Sequence, residues 1–234
     1  MMKRMIATIC LVLAQSAVGL TPIGNPTVKP NDGWQAAFNY VHSSQDVELS
    51  GYGLTGTGDI TVNDFLGEIG ANVTEDWYLA FLIGLGKADI DDVEFNGVKI
   101  GARAKHTFIR QEKVDWSSSF NIFLSNFAED VSLPDIHRKV QVDVTYMEMT
   151  VAIGPTFHIT EDVDLYGGLG LHYLTGEMDV NVPGPNLSFN IEKDFNLGGF
   201  IGLSVAATKH ISLDIEAQMF EDAKAIAFRF SYRF

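Results

Sequence analysis

The sequence predicts an all-β protein, a transmembrane antiparallel up-and-down β-barrel of ten strands, with eight as the alternative count. Three observations predict it. Apolar and polar side chains alternate with a period of two in segment after segment, the connections between segments are short and long in turn, and Ala225–Phe234 alternates without a break and stops on Phe. Successive side chains of a strand point to opposite faces. Ile226, Phe228, Phe230, Tyr232 and Phe234 therefore share one aromatic face, and Ala227, Arg229, Ser231 and Arg233 the other. In water such a face would invite aggregation, whereas lipid on one side and a polar lumen on the other satisfy both.

At the other end, Lys3 and Arg4 precede an apolar run from Met5 to Ala14, and Ala17-Val18-Gly19 offers the small residues of a cleavage site. Residues 1–19 are thus expected to be a secretory signal peptide cut after Gly19. The run falls short of the roughly 18 continuous apolar residues a spanning helix requires. Cys10 lies inside it without a Leu three residues before, so a lipid anchor is not expected, and the mature chain has no cysteine for a disulfide or thiol nucleophile. Residues 20–33, with Pro22, Pro26 and Pro30, are expected to form an irregular periplasmic lead-in, and 34–234 the barrel. The 234 residues carry 16 Lys+Arg against 30 Asp+Glu; losing Lys3 and Arg4 leaves 14 against 30, a net charge of −16. That balance excludes binding to nucleic-acid phosphates.

The alternation places strands near 34–42, 59–73, 77–90, 98–109, 116–128, 144–158, 163–176, 194–206, 211–220 and 225–234, each long enough for a tilted membrane strand, which needs ~9–11 residues. Thr74-Glu75-Asp76 and Thr160-Glu161-Asp162 are short turns, while 43–58, 129–143 and 177–193 read as long polar loops, the asymmetry of outer-membrane barrels. Thr74, Thr160 and Thr208 each stand three residues before the first outward side chain of a strand. From there the outward faces read Trp77, Leu79, Phe81, Ile83, Leu85, then Val163, Leu165, Gly167, Leu169, Leu171, then Ile211, Leu213, Ile215, Ala217, Met219. None carries a charge, as a bilayer demands, since Arg or Lys at its midplane costs roughly 2–4 kcal/mol. Trp34, Trp77, Trp116, Phe157, Tyr232 and Phe234 fall at the periplasmic ends and form an aromatic girdle. For the hairpin of strands seven and eight, Leu187, Phe189 and Ile191 keep the odd parity of Phe195 and Leu197, and Pro183-Gly184-Pro185-Asn186 signals a turn, so a raised β-ribbon is expected.

A soluble sandwich or lipocalin-like barrel also alternates, but its outer face would carry Lys, Glu and Thr. Here the second face is rich in small residues, including Gly84, Gly86, Gly101, Gly154, Gly170, Gly198 and Gly202, which suits a crowded lumen. Parity points Glu68, Lys99, Arg103, Lys105, Glu148, His172, Asp214, Glu216, Arg229 and Arg233 inward. Asp214 and Glu216 are expected beside Arg229 and Arg233 on the neighbouring strand. Buried charges persist when paired, so a largely plugged, salt-bridged lumen is expected, with a narrow diffusion pore as the alternative. The mixed signs argue against strong ion selectivity.

The remaining acids cluster between strands, chiefly in Asp89-Ile90-Asp91-Asp92-Val93-Glu94. Clustered carboxylates can hold a hard cation, but the spacing fits no EF-hand loop and solvated loop tips are the simpler expectation; no metal site or cofactor is expected. His42 and Ser44 form a His-x-Ser pair, without a further acid at a spacing that suggests a triad, so no catalytic residues are assigned.

From Trp34 to Phe234 the chain resembles the small bacterial outer-membrane β-barrels that include the OmpA-like membrane domain and the OmpW-like outer membrane proteins. The likeness rests on Gly198-Gly199-Phe200-Ile201-Gly202 and on the terminal Tyr232-Arg233-Phe234. It implies a monomer in the outer membrane of a Gram-negative bacterium, surrounded by outer-membrane lipid. It also implies that the barrel-assembly machinery reads Phe228, Phe230, Tyr232 and Phe234 as an assembly signal. The expected role is structural or a surface interaction through acidic external loops, with a porin-like pore as the alternative and a lipid-modifying enzyme less favoured.

Overall fold

The computed structural model describes residues 20–30, 33–51, 54–90, 93–133, 138–181, 187–221 and 223–234. The expected signal peptide lies outside the described residues. Within them the chain forms β1 (Trp34–Gly51), β2 (Leu54–Asn72), β3 (Trp77–Ile90), β4 (Val93–Arg110), β5 (Val114–Leu133), β6 (Arg138–His158), β7 (Val163–Asn181), β8 (Leu187–Ala206), β9 (Ile211–Phe220) and β10 (Ala223–Arg233). Each strand pairs antiparallel with its sequence neighbours, and β1 closes the ring on β10 with Phe38 opposite Phe230. Closure leaves no unpaired edge, which is what allows a sheet to sit in lipid.

The short turns explain the repeated threonines. Thr74 Oγ1 accepts hydrogen bonds from the amides of Asp76 and Trp77, and Thr208 Oγ1 from those of His210 and Ile211, while Thr160 Oγ1 accepts from Asp162. A hydroxyl that caps the turn satisfies amides the ladder cannot reach. The glycines of the inner face are explained by their partners across the ladder. Gly97, Gly101 and Gly198 stand opposite Phe127, Phe123 and Phe220, and Gly202 opposite Tyr166. At each of them a Cβ would collide with that ring, so bulky and small residues alternate to fill a narrow interior.

The segments expected to be long loops, 43–58, 129–143 and 177–193, are instead largely strand. β1–β2 pairing continues to Gly51 and Leu54, and β5–β6 pairing to Leu133 and Arg138. The alternation persists there, but its chemistry inverts. Val140, Val142 and Val144 of β6 and Met178 and Val180 of β7 are buried, whereas Gln141, Thr145, Glu177 and Asp179 are exposed. Lower down, Leu85, Phe195 and Leu197 are exposed on the outside and Glu68, Lys99 and Arg103 are buried within. Outside the bilayer the exterior is water, so the apolar face turns inward as in a soluble barrel.

The β7–β8 hairpin is paired up to Val180 and Leu187, as the raised ribbon requires, but its side chains face the other way from the expectation. A register shift between His172 and Leu174 adds one residue to β8. Such a bulge reverses the parity beyond it, and Phe189 and Ile191 become buried while Phe195 and Leu197 stay outward.

The lumen and its N-terminal occupant

The segment 20–33 is expected outside the barrel as a periplasmic lead-in, but the structure places Leu20–Val28 of it inside. Leu20, Thr21, Ile23, Asn25, Thr27 and Val28 are all buried, Leu20 and Ile23 completely. It is irregular, as its prolines dictate, so its backbone polar groups must find partners in the barrel wall. They do so level by level. Nearest the periplasm, Val28 donates its amide to Thr107 Oγ1 at 2.8 Å, and Thr27 Oγ1 lies 2.9 Å from Thr156 Oγ1 and 3.1 Å from Ser117 Oγ. Lys105 Nζ donates to Asn25 O at 2.6 Å, and Arg103 donates to Pro22 O.

Glu216 accepts the amides of Ile23 and Gly24 on its two oxygens, at 2.9 and 2.8 Å, and Gln218 Nε2 reaches Thr21 O at 2.9 Å. Gly24 has φ +69°, a left-handed conformation that glycine adopts without steric cost. Two successive amides converging on one carboxylate make a small anion nest. At the inner end of the segment, Thr21 donates from its amide and its hydroxyl to Glu148 Oε1, at 2.9 and 2.8 Å.

Around this segment the wall charges form two clusters. In the first, Glu68 bridges Arg103 Nη1 at 2.7 Å and Arg229 Nη2 at 3.0 Å, and Arg229 Nη1 also meets Asp214 at 3.2 Å. Tyr78 donates its hydroxyl to Glu68 at 2.9 Å. In the second, Lys99 Nζ stands 2.7 Å from Asp64 and 3.3 Å from Glu148, and His172 Nε2 is 3.5 Å from Glu148. Glu216 departs from the expectation: it binds the N-terminal segment rather than Arg229 or Arg233. Its side chain stands one inward step beyond Asp214, level with the segment's amides. Arg233 is half-buried at the end of β10.

Sequence reading missed Asp64, which shares inward parity with Glu68 four residues on. It also missed the periplasmic mouth. There His158 lies between Asp164, 2.8 Å from Nδ1, and Asp115, 3.3 Å from Nε2, while Lys29 of the N-terminal segment pairs with Asp164 at 2.9 Å. These groups and Arg110 line a cavity of about 490 Å³. The inward parity of Asp115 and Asp164 was the available signal. Of the girdle residues, Trp34, Trp77, Trp116, Phe157, Tyr232 and Phe234 are all exposed on the outer surface, and Trp77 stacks on His106 with ring centroids 4.4 Å apart. Asp91 and Asp92 of the acidic run lie outside the described residues; Glu94 pairs with Lys87 at 2.6 Å. His42 Nδ1 is 2.9 Å from Asn63 Oδ1.

No protein-family model and no curated protein matches the chain. Among solved structures it is similar to the translocator domain of the autotransporter NalP from Neisseria meningitidis, with a TM-score of 0.52 and 12% identity over 86% of this chain and 88% of that one. It is also similar to the outer membrane protease OmpT from Escherichia coli, with a TM-score of 0.51 and 8% identity over 87% and 97% of the two chains. A third is the beta domain of the Bordetella autotransporter BrkA, with a TM-score of 0.50 and 12% identity over 86% and 99%. At these identities the likeness carries the fold. A closed antiparallel sheet with an apolar outer band, shared with such proteins, makes this chain a β-barrel of the bacterial outer membrane.

Proposed function

We propose that the protein is a self-plugged outer-membrane barrel with a structural or surface-interaction role, rather than an open diffusion channel. The observation that carries this is Leu20–Val28, seated in the lumen and hydrogen-bonded to Glu148, Glu216, Arg103, Lys105 and Thr107. These five anchors stand on three strands, β4, β6 and β9, and the plug is held by more than any one of them, because each bond to a charged group contributes roughly 1.5–3 kcal/mol. Above the membrane the paired strands of β5–β8 present polar, partly acidic faces to water, among them Glu177 and Asp179. A stiff strand surface supports contact with a partner better than a free loop, because little order is lost on binding.

The test is single-channel recording in a planar bilayer. The wild type should pass little current, and deleting residues 20–30 should open a steady conductance. A wild type that already conducts steadily and is unchanged by the deletion would replace this reading with that of a narrow pore.

A further inference from the structure

The chamber at the inner end of the N-terminal segment has more negative than positive side chains. Asp64 and Glu148 face the single amine of Lys99, and Glu216 is held by amides and Gln218. Among the described residues, Asp64, Glu68, Glu148, Asp214 and Glu216 are buried in the central lumen with Lys99, Arg103, Lys105 and Arg229, five acids to four bases. Asp64 Oδ1 and Glu148 Oε2 are fully buried and accept no hydrogen bond there. Asp64 Oδ1 has no partner there and Glu148 Oε2 meets only Lys99, at 3.3 Å; under-paired buried carboxylates are costly, so the chamber has a place for one more cation.

Leu20 supplies it. It is completely buried, and its nitrogen lies within one residue, at most ~3.6 Å of chain, of the Thr21 amide that already touches Glu148. Cleavage after Gly19 hydrolyses the Gly19–Leu20 peptide bond: water gives its hydroxyl to the Gly19 carbonyl and a proton to the Leu20 nitrogen, which takes a second proton from solvent. A neutral amide becomes an ammonium group. We propose that Asp64 and Glu148 form a receptor site for a primary ammonium, and that its occupant is the α-ammonium of the protein's own processed N-terminus. Plugging is thereby coupled to maturation, because the uncut chain has no charge at Leu20 to offer. This inference rests on the plugged-lumen reading and on cleavage at that bond.

The test uses the mature protein in detergent micelles, its first residue fixed by intact mass, and an aldehyde reagent selective for N-terminal amines. The folded wild type should react at least about tenfold more slowly than the same protein unfolded in denaturant. Glu148→Gln, which keeps the shape and removes the charge, should lose most of that protection, and Asp64→Asn serves if Glu148→Gln does not fold. Labelling of the folded wild type at the unfolded rate would overturn the site, as would a mature chain that starts anywhere but Leu20. Bilayer recording of the same sample separates the two readings. A closed but freely labelled barrel removes the ammonium site and leaves the plug, whereas an open and labelled barrel removes both.

Discussion

Gly24 and Glu216, 192 residues apart in sequence, meet in the middle of the barrel, where the Gly24 amide donates to Glu216 Oε2 at 2.8 Å. The bond depends on the left-handed turn at Gly24, φ +69°. A Cβ there would make only ordinary contacts with Lys105 and Arg103, so any cost of Gly24→Ala comes from the backbone. An L-residue in that region costs roughly 1–2 kcal/mol, about a tenfold shift in the population of the seated plug. Gly24→Ala should therefore raise the open probability in bilayer recordings about tenfold and leave the strand content unchanged. An unaltered open probability would show that the segment does not gate the lumen.

Glu68 joins two guanidinium groups, Arg103 and Arg229, and all three side chains are buried. Glu68→Gln takes away the carboxylate that Arg103 meets and leaves Arg229 with Asp214, and breaking a buried pair costs roughly 3–5 kcal/mol. Glu94→Gln breaks the half-exposed pair with Lys87, which is worth about 0–1 kcal/mol after solvent screening. The heat-modifiable gel band should convert at a clearly lower temperature for the first variant and at nearly the wild-type temperature for the second. Matching midpoints would mean that the first cluster is solvated.

Where the sequence was legible, the reason is that one rule held throughout a segment. From Trp77 to Leu85 the lipid imposes a single apolar face, and period two then fixes strand, register and exposure together. The rule broke at Val140–Val144, where the same parity faces the same way but water has replaced lipid outside, so polar outward residues read as loop. It broke again at the bulge beside Leu174, because one extra residue leaves no compositional trace. The inward charges followed from parity, but Glu216 was given the wrong partner, since its true one is a segment whose sequence does not say which side of the wall it occupies. Thr21, Gly24 and Asn25 look like loop residues, and the inward charges expected from parity, five bases to four acids, gave no hint that backbone amides must meet Glu216.

The height of the membrane boundary follows from the same inversion. Ile153 is half-exposed in the apolar band and Thr145 is exposed eight residues nearer the outer rim of the same strand. Ile153→Lys should cost roughly 2–4 kcal/mol near the midplane, while Thr145→Lys should cost about 0–1 kcal/mol if it stands at or above the interface. Urea-gradient unfolding in lipid vesicles measures both. A large penalty at Thr145 would place the bilayer higher than the inversion does.

Phe234 separates folded-state stability from assembly. It is 73% exposed, its amide donates to Trp34 O at 3.0 Å, and its ring packs edge-on against Tyr232 with centroids 5.2 Å apart. Deleting a residue so exposed removes one hydrogen bond and one ring contact, about 1–2 kcal/mol together, so barrels refolded in detergent should lose little stability. If Phe228, Phe230, Tyr232 and Phe234 are read by the assembly machinery, the same deletion should sharply lower the folded fraction in cells, well below that of the exposed control Glu221→Ala. Pulse-labelling followed by the heat-modifiability assay reads both yields. Equal yields in cells would leave the terminal aromatics with a role in the girdle alone.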